Sequence, residues 1–145
     1  MIRAMFCRLA LGTAVGILGA SQVAGAAGGK ATLRTFVGGW RGHDRGLTIT
    51  HTGRGTETIL ESCCRRIVTL HFRISRVWGT AQRPLASATV TYFHVYNPSW
   101  FTKKDPEPHV GEVGTLRIVR GVLYEPLGGD TYCNGKTQAV DKCGA

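Results

Sequence analysis

The stretch Val68-Thr69-Leu70-His71-Phe72-Arg73-Ile74-Ser75 alternates apolar and polar side chains without interruption. That is the period-two signature of a strand with one buried and one solvated face. Val68, Leu70, Phe72 and Ile74 take the inner face with Trp78 in phase, and Thr69, His71, Arg73 and Ser75 take the outer one. Arg76 breaks the alternation and marks either a bulge or the strand's exit. On the N-terminal side, Leu47-Thr48-Ile49-Thr50 also alternates, and Thr52-Gly53-Arg54-Gly55 offers a hairpin turn into Thr56 to Ser62. On the C-terminal side, Ser87 to Asn97 reads as a two-sided strand. It carries Val90, Tyr92, His94 and Tyr96 on one face and Phe93 and Val95 on the other. Asn97 to Gly111, with Pro98, Pro106 and Pro108, is the longest irregular segment. Thr115 to Val119 and Val122 to Leu127 flank Arg120-Gly121. A two-residue turn there sets Val119 opposite Val122, Ile118 opposite Leu123 and Leu116 opposite Glu125.

The 20 glycines fall between these β-rich runs, and no long stretch beyond the N-terminus carries capped helical periodicity. The chain is therefore expected to be all-β, a small antiparallel meander barrel or curled sandwich of six to eight short strands. A barrel is favoured because closure removes the edges that a sheet in water must hide.

Ahead of this domain, Arg3 and Arg8 precede an uncharged run from Leu9 to Ala20, which leads into Ala24-Gly25-Ala26. The run is too short and too glycine-broken to span a bilayer, and it ends in an A-x-A cleavage pattern. Residues 1–26 read as a signal helix cleaved near Ala26/Ala27, leaving 27–145 as one secreted or cell-envelope domain with no transmembrane segment. Loss of Arg3 and Arg8 lowers the formal charge from +9 to +7. Arginine dominates, and no block of like charge or dedicated nucleic-acid motif appears. Such a surface is either merely soluble or drawn to an anionic cell-envelope component, lipid headgroups or RNA.

Cys7 leaves with the leader, and Cys63, Cys64, Cys133 and Cys143 remain, an even number in an exported chain. Adjacent Cys63 and Cys64 are poor partners for each other. The expected bridges are Cys64–Cys133 with Cys63–Cys143, the swapped pairing being the alternative. Each closes a loop of roughly 70 to 80 residues, worth about 4 kcal/mol by chain entropy, and pins the tail to the middle of the domain. A four-thiolate zinc site lacks C-x2-C spacing, and the five histidines offer no H-x-H or H-E-x-x-H. No metal and no cofactor is expected.

Gly38-Gly39-Trp40 is a G-x-W at the head of the first strand and resembles the start of calycin barrels (lipocalins and avidins). That resemblance implies a Trp40 that plugs one barrel end against a late-strand basic residue, Arg117 or Arg120. Gly38 to His43 (G-x-W-x-G-H), Leu47-Thr48-Ile49, Cys63-Cys64 and Tyr132-Cys133 are similar to small exported proteins of unknown function from high-GC bacteria. This second resemblance implies localisation and a disulfide framework, and no activity.

Trp40-Arg41-Gly42-His43-Asp44-Arg45 is the densest polar cluster. Alternation from Leu47 puts Arg45 and His43 on the inner side near the strand's start. The hairpin register puts Glu125 among Leu116 and Leu123, where a carboxylate must be paired, protonated or wet. His43, Arg45 and Glu125 could share a polar pocket at a barrel mouth, with Trp40 beneath. The alternative is a buried Glu125–Arg pair that fixes register. Trp100 and Phe101, followed by Lys103 and Lys104, suit a loop that grips a partner. His71 reads as solvated and His94 as a packing residue. The expected function is a binding or interaction module for a small ligand or envelope component. The alternatives are a small basic ribonuclease-like hydrolase of a polyanion and a structural envelope protein.

Overall fold

Inward-facing apolar residues recur at every second position of the chain, and the strands they define curl until the last meets the first. The computed structural model describes residues 29–61, 65–100, 107–127, 129–134 and 143, with Trp100 and Asp130 described by backbone alone. The strands are β1 (Gly38–Gly42), β2 (Arg45–Ile49), β3 (Arg54–Glu61), β4 (Arg65–Thr80), β5 (Arg83–Val95), β6 (Val113–Val119), β7 (Val122–Glu125) and β8 (Asp130–Cys133). Each pairs antiparallel with the next, and β8 pairs with β1, giving a closed eight-stranded meander barrel. The signal segment 1–26 lies outside the described residues, and no α-helix occurs among the described ones.

The hairpin register around Arg120-Gly121 is as expected, with Ile118 opposite Leu123 and Val119 opposite Val122. Both turn residues have positive φ, 51° and 80°, the conformation of a tight two-residue hairpin. The strands, however, are not all short: β4 runs 16 residues and β5 runs 13. Bulges let such long strands bend around a narrow barrel.

Those bulges also correct two facing assignments. The β4–β5 register shifts between Ile74 and Arg76, which puts Ser75 in the bulge and reverses the phase beyond it. Val77 then packs against the core, and Trp78 turns outward beneath the Arg76 guanidinium, 5.6 Å from its ring centre. The register shifts again between His71 and Phe72, leaving Thr91 as the extra residue on β5. Phe93 therefore packs against the core with Val90, while Tyr92, His94 and Tyr96 face outward. Strict alternation groups Val90 with the tyrosines, and the bulge separates them.

Phe36, Trp40, Leu47, Ile49, Leu70, Phe72, Leu116, Leu123 and Tyr132 fill the interior. A short 3-10 turn, Leu33–Thr35, delivers Phe36 to the core, and the Trp40 indole Nε1 donates to the Phe36 carbonyl at 2.9 Å. Gly55 sits opposite Phe72, and a Cβ there would lie 2.1 Å from the ring. The missing side chain is the space that the ring occupies. Gly55→Ala is expected to destabilise the barrel by about 1–3 kcal/mol through overpacking; urea unfolding that matches the wild type would contradict this.

Cys133 is bonded to Cys143, ten positions further along the chain, with Cα atoms 5.8 Å apart. This overturns both expected pairings, since neither tail cysteine is left to reach Cys63 or Cys64, which lie outside the described residues. The reason is topological: β1 and β2 stand between β8 and the passage from β3 to β4 at Glu61 and Arg65, whereas Cys143 follows Cys133 by only ten positions. The bridge ties the tail to β8, packing with Val122, and its short loop is worth about 3 kcal/mol by chain entropy. Trypsin cutting at Lys136 and Lys142 should leave the Cys133 and Cys143 peptides joined until reduction, as read by mass spectrometry. Either cysteine found joined to Cys63 or Cys64 would refute it.

Candidate functional site

Alternation along β3 turns Gly55, Glu57 and Ile59 inward, so a carboxylate is delivered into an apolar barrel. Glu57 is fully buried. The Tyr132 hydroxyl, from β8, donates to its Oε1 across the interior. Glu125, at the end of β7, is buried beside Leu116 and Leu123, and its Oε1 accepts the Leu127 N–H at 2.7 Å. Oε2 of Glu57 makes no hydrogen bond of ordinary geometry, yet Glu125 lies near enough to act on the Glu57 carboxyl as a hydrogen-bonding neighbour.

Burial pushes the Glu57 pKa up from the ordinary carboxyl value of 4.5. The Tyr132 hydrogen bond, the positive charge of Arg45 and the Glu125 interaction each pull against that shift without reversing it. Tyr132 is itself pushed up, first by burial and then by the Glu57 charge, so its phenol remains a donor. The cluster is thus a buried carboxyl–phenol group in which burial favours the protonated form of Glu57.

The structure divides the other residues singled out from the sequence. Arg45 is half-buried and acts electrostatically on Glu57, with its Nε donating to the His43 carbonyl at 3.2 Å. His43 itself is exposed on the β1–β2 turn, with Nε2 3.4 Å from the Asp44 carboxylate, away from the buried carboxyls. Trp40 is buried in the core. Trp100 ends a 3-10 turn, Pro98–Trp100, that is capped by Asn97 Oδ1 accepting from Ser99 Oγ at 2.7 Å, and Phe101 lies outside the described residues. Arg117 lies on the outer surface with its guanidinium 4.5 Å from the Tyr124 ring centre, and Arg120 occupies the β6–β7 turn. Among the described residues no group of three or more His, Cys, Asp or Glu could hold a metal ion, and no helix is long and apolar enough to cross a membrane.

Sequence reasoning missed Glu57 and Tyr132. Glu57 was recoverable, because it shares its strand face with Ile59 just as Glu125 shares one with Leu123.

It also missed a surface. On the outer wall, Arg54 of β3 lies directly opposite Arg73 of β4, with both side chains exposed. With His71, Thr56 and Thr91 they line a shallow groove of about 370 Å³. Neither guanidinium has a carboxylate partner among the described residues. The sequence signal was there: no acidic residue occurs between Glu61 and Asp105, a span holding Arg65, Arg66, Arg73, Arg76 and Arg83. Glu61 is ion-paired with Arg65.

No family model matches the chain, and no curated protein or solved structure is significantly similar to it.

A folded-state carboxyl pKa above the unfolded value means that the native state holds its proton more tightly. The Glu57 contribution to stability is therefore fully present below pH 4.5 and is lost as pH rises through the folded-state pKa. Glu57→Gln, which keeps an oxygen for Tyr132 and carries no charge, should abolish that fall. Parallel urea-unfolding free energies for variant and wild type, from acid to neutral pH, would disprove it.

Proposed function

We propose that this protein is a small β-barrel interaction module that meets an anionic macromolecule on the outer wall of β3, β4 and β5. The observation that carries the reading is the Arg54–Arg73 pair. Two like charges directly opposite on neighbouring strands destabilise a sheet, so their retention without a neutralising acid calls for an external anion. His71 adjoins the pair in the same groove. The wall faces solvent, whereas Glu57 is buried and its hydrogen bond with Tyr132 holds β8 to β3.

Export through an N-terminal signal, followed by residence in the cell envelope or outside it, belongs to the same proposal. An envelope polymer is then one source of the anion. The calycin resemblance fits a closed meander whose early tryptophan lies in the core behind a 3-10 turn. A hydrolase reading draws less support. It needs a histidine, a carboxylate and an arginine around one cleft, and His43 and Asp44 stand on an exposed turn.

Retention on a heparin column tests the wall. Arg54→Glu with Arg73→Glu should elute at markedly lower salt than the wild type, because fewer bound anionic groups mean fewer counterions released on binding. Arg120→Glu, on the β6–β7 turn, changes net charge at a site away from the wall and should shift elution far less. Equal shifts from both variants, per charge changed, would refute the proposal.

A further inference from the structure

We infer that the β3–β5 wall is a docking face for single-stranded nucleic acid, with Arg54, Arg66 and Arg73 taking phosphates and Tyr92, His94 and Tyr96 stacking bases. The inference rests on the reading of that wall as an anion-binding face and names the polymer.

The arginine groove does not end at His71. The His71 ring lies 4.9 Å from Tyr92, Tyr92 lies 6.5 Å from His94 with nearly parallel planes, and His94 lies 4.3 Å from Tyr96 edge-on. These rings form one continuous outward row, from His71 of β4 through Tyr92 and His94 of β5 to Tyr96 just past its end. Tyr92 is 44% exposed and Tyr96 51%, so their faces are open to stacking. At the far end of the row, the Arg66 guanidinium donates to the Tyr96 phenol oxygen and lowers its pKa. Cations therefore stand at both ends of the aromatic row.

A ring-free polyanion would need only the arginines. Planar side chains beside a basic groove are what sequence-tolerant single-strand binding uses, because every base offers a π-face. A sheet surface bearing aromatics is also a general platform for splayed bases. A duplex keeps its base faces stacked and would leave the tyrosines idle. The length is suitable: from Thr89, opposite Arg73, to Tyr96 the strand rises about 23 Å, room for about four nucleotides, the low end for a single small barrel. β6 pairs with β5 only as far as Thr89, so the part of β5 bearing the rings has no β6 strand alongside it.

The test is fluorescence anisotropy of the full chain, disulfide intact, with a short labelled single-stranded RNA. Inorganic polyphosphate and the matching duplex serve as competitors. Three arginines should give a slope of log affinity against log salt of about −2. Tyr92→Ala with Tyr96→Ala should weaken RNA binding about tenfold or more while leaving polyphosphate binding unchanged, and Tyr92→Phe with Tyr96→Phe should restore it. Arg54→Gln with Arg73→Gln should weaken both ligands. Polyphosphate or duplex competing as well as single-stranded RNA, with the tyrosine variants silent, overturns the nucleic-acid assignment and leaves the anion face standing. Absence of salt-dependent binding to every probe overturns both.

Discussion

The barrel closes between β8 and β1 through a single register pair, Cys133 with Arg41, so closure leans on what β8 does inside the barrel. There the Tyr132 hydroxyl reaches Glu57 of β3, a partner 75 residues away in the chain. A buried hydrogen bond of this kind is worth about 0.5–1.5 kcal/mol net, and a buried partner left without it costs about 1–3 kcal/mol, more than one cross-strand pair at the seam supplies. The same carboxyl would be costly alone. Burial, the Glu125 interaction and the Arg45 charge all act on this one carboxyl, and removing one member leaves another unsatisfied. Next to Tyr132, the Cys133–Cys143 bridge holds the end of β8 by covalent means. The last and shortest part of the barrel thus has a polar clasp inside and a sulfur clasp outside.

Legibility followed the range of each signal. Alternation from Val68 to Ile74 and the Arg120-Gly121 turn are local: the first gave the strand and its inner face, although Thr69 of the outer face is buried, and the second gave its hairpin's register. The break at Arg76 located a bulge, because a bulge is itself a local change of phase. The Thr91 bulge leaves no such mark: Thr91 is polar like the outward residues beside it, so the phase slips unnoticed and alternation assigns Tyr92, His94 and Tyr96 with Val90. Cysteine pairing depends on how many strands separate the cysteines around the barrel, and only the closed topology decides that. Glu125 was legible as buried because a two-residue turn fixes its neighbours. Its partner Glu57 was not paired with it, since the two meet across the barrel, where spacing along the chain carries no information.

Interior and wall have opposite chemistry for the same geometric reason. A narrow barrel filled by Trp40, Phe72, Phe36 and Tyr132 leaves the Gly55 position as space for one ring edge. Three more rings on β5 could not enter, so the Thr91 bulge and the packed core agree in turning them out. That agreement explains their direction but not their identity. Outward positions elsewhere on this sheet, such as Thr48, Thr56 and Thr115, carry threonine, which suits a wet strand face at no risk of association. Tyrosine and histidine at three successive outward positions of β5 are thus not required by the fold. They stand beside a run of more than forty residues without an acid, next to two arginines that repel each other. A wall that fold stability alone had shaped would separate those charges and dilute those rings; a wall shaped by an anionic, ring-bearing partner would keep both.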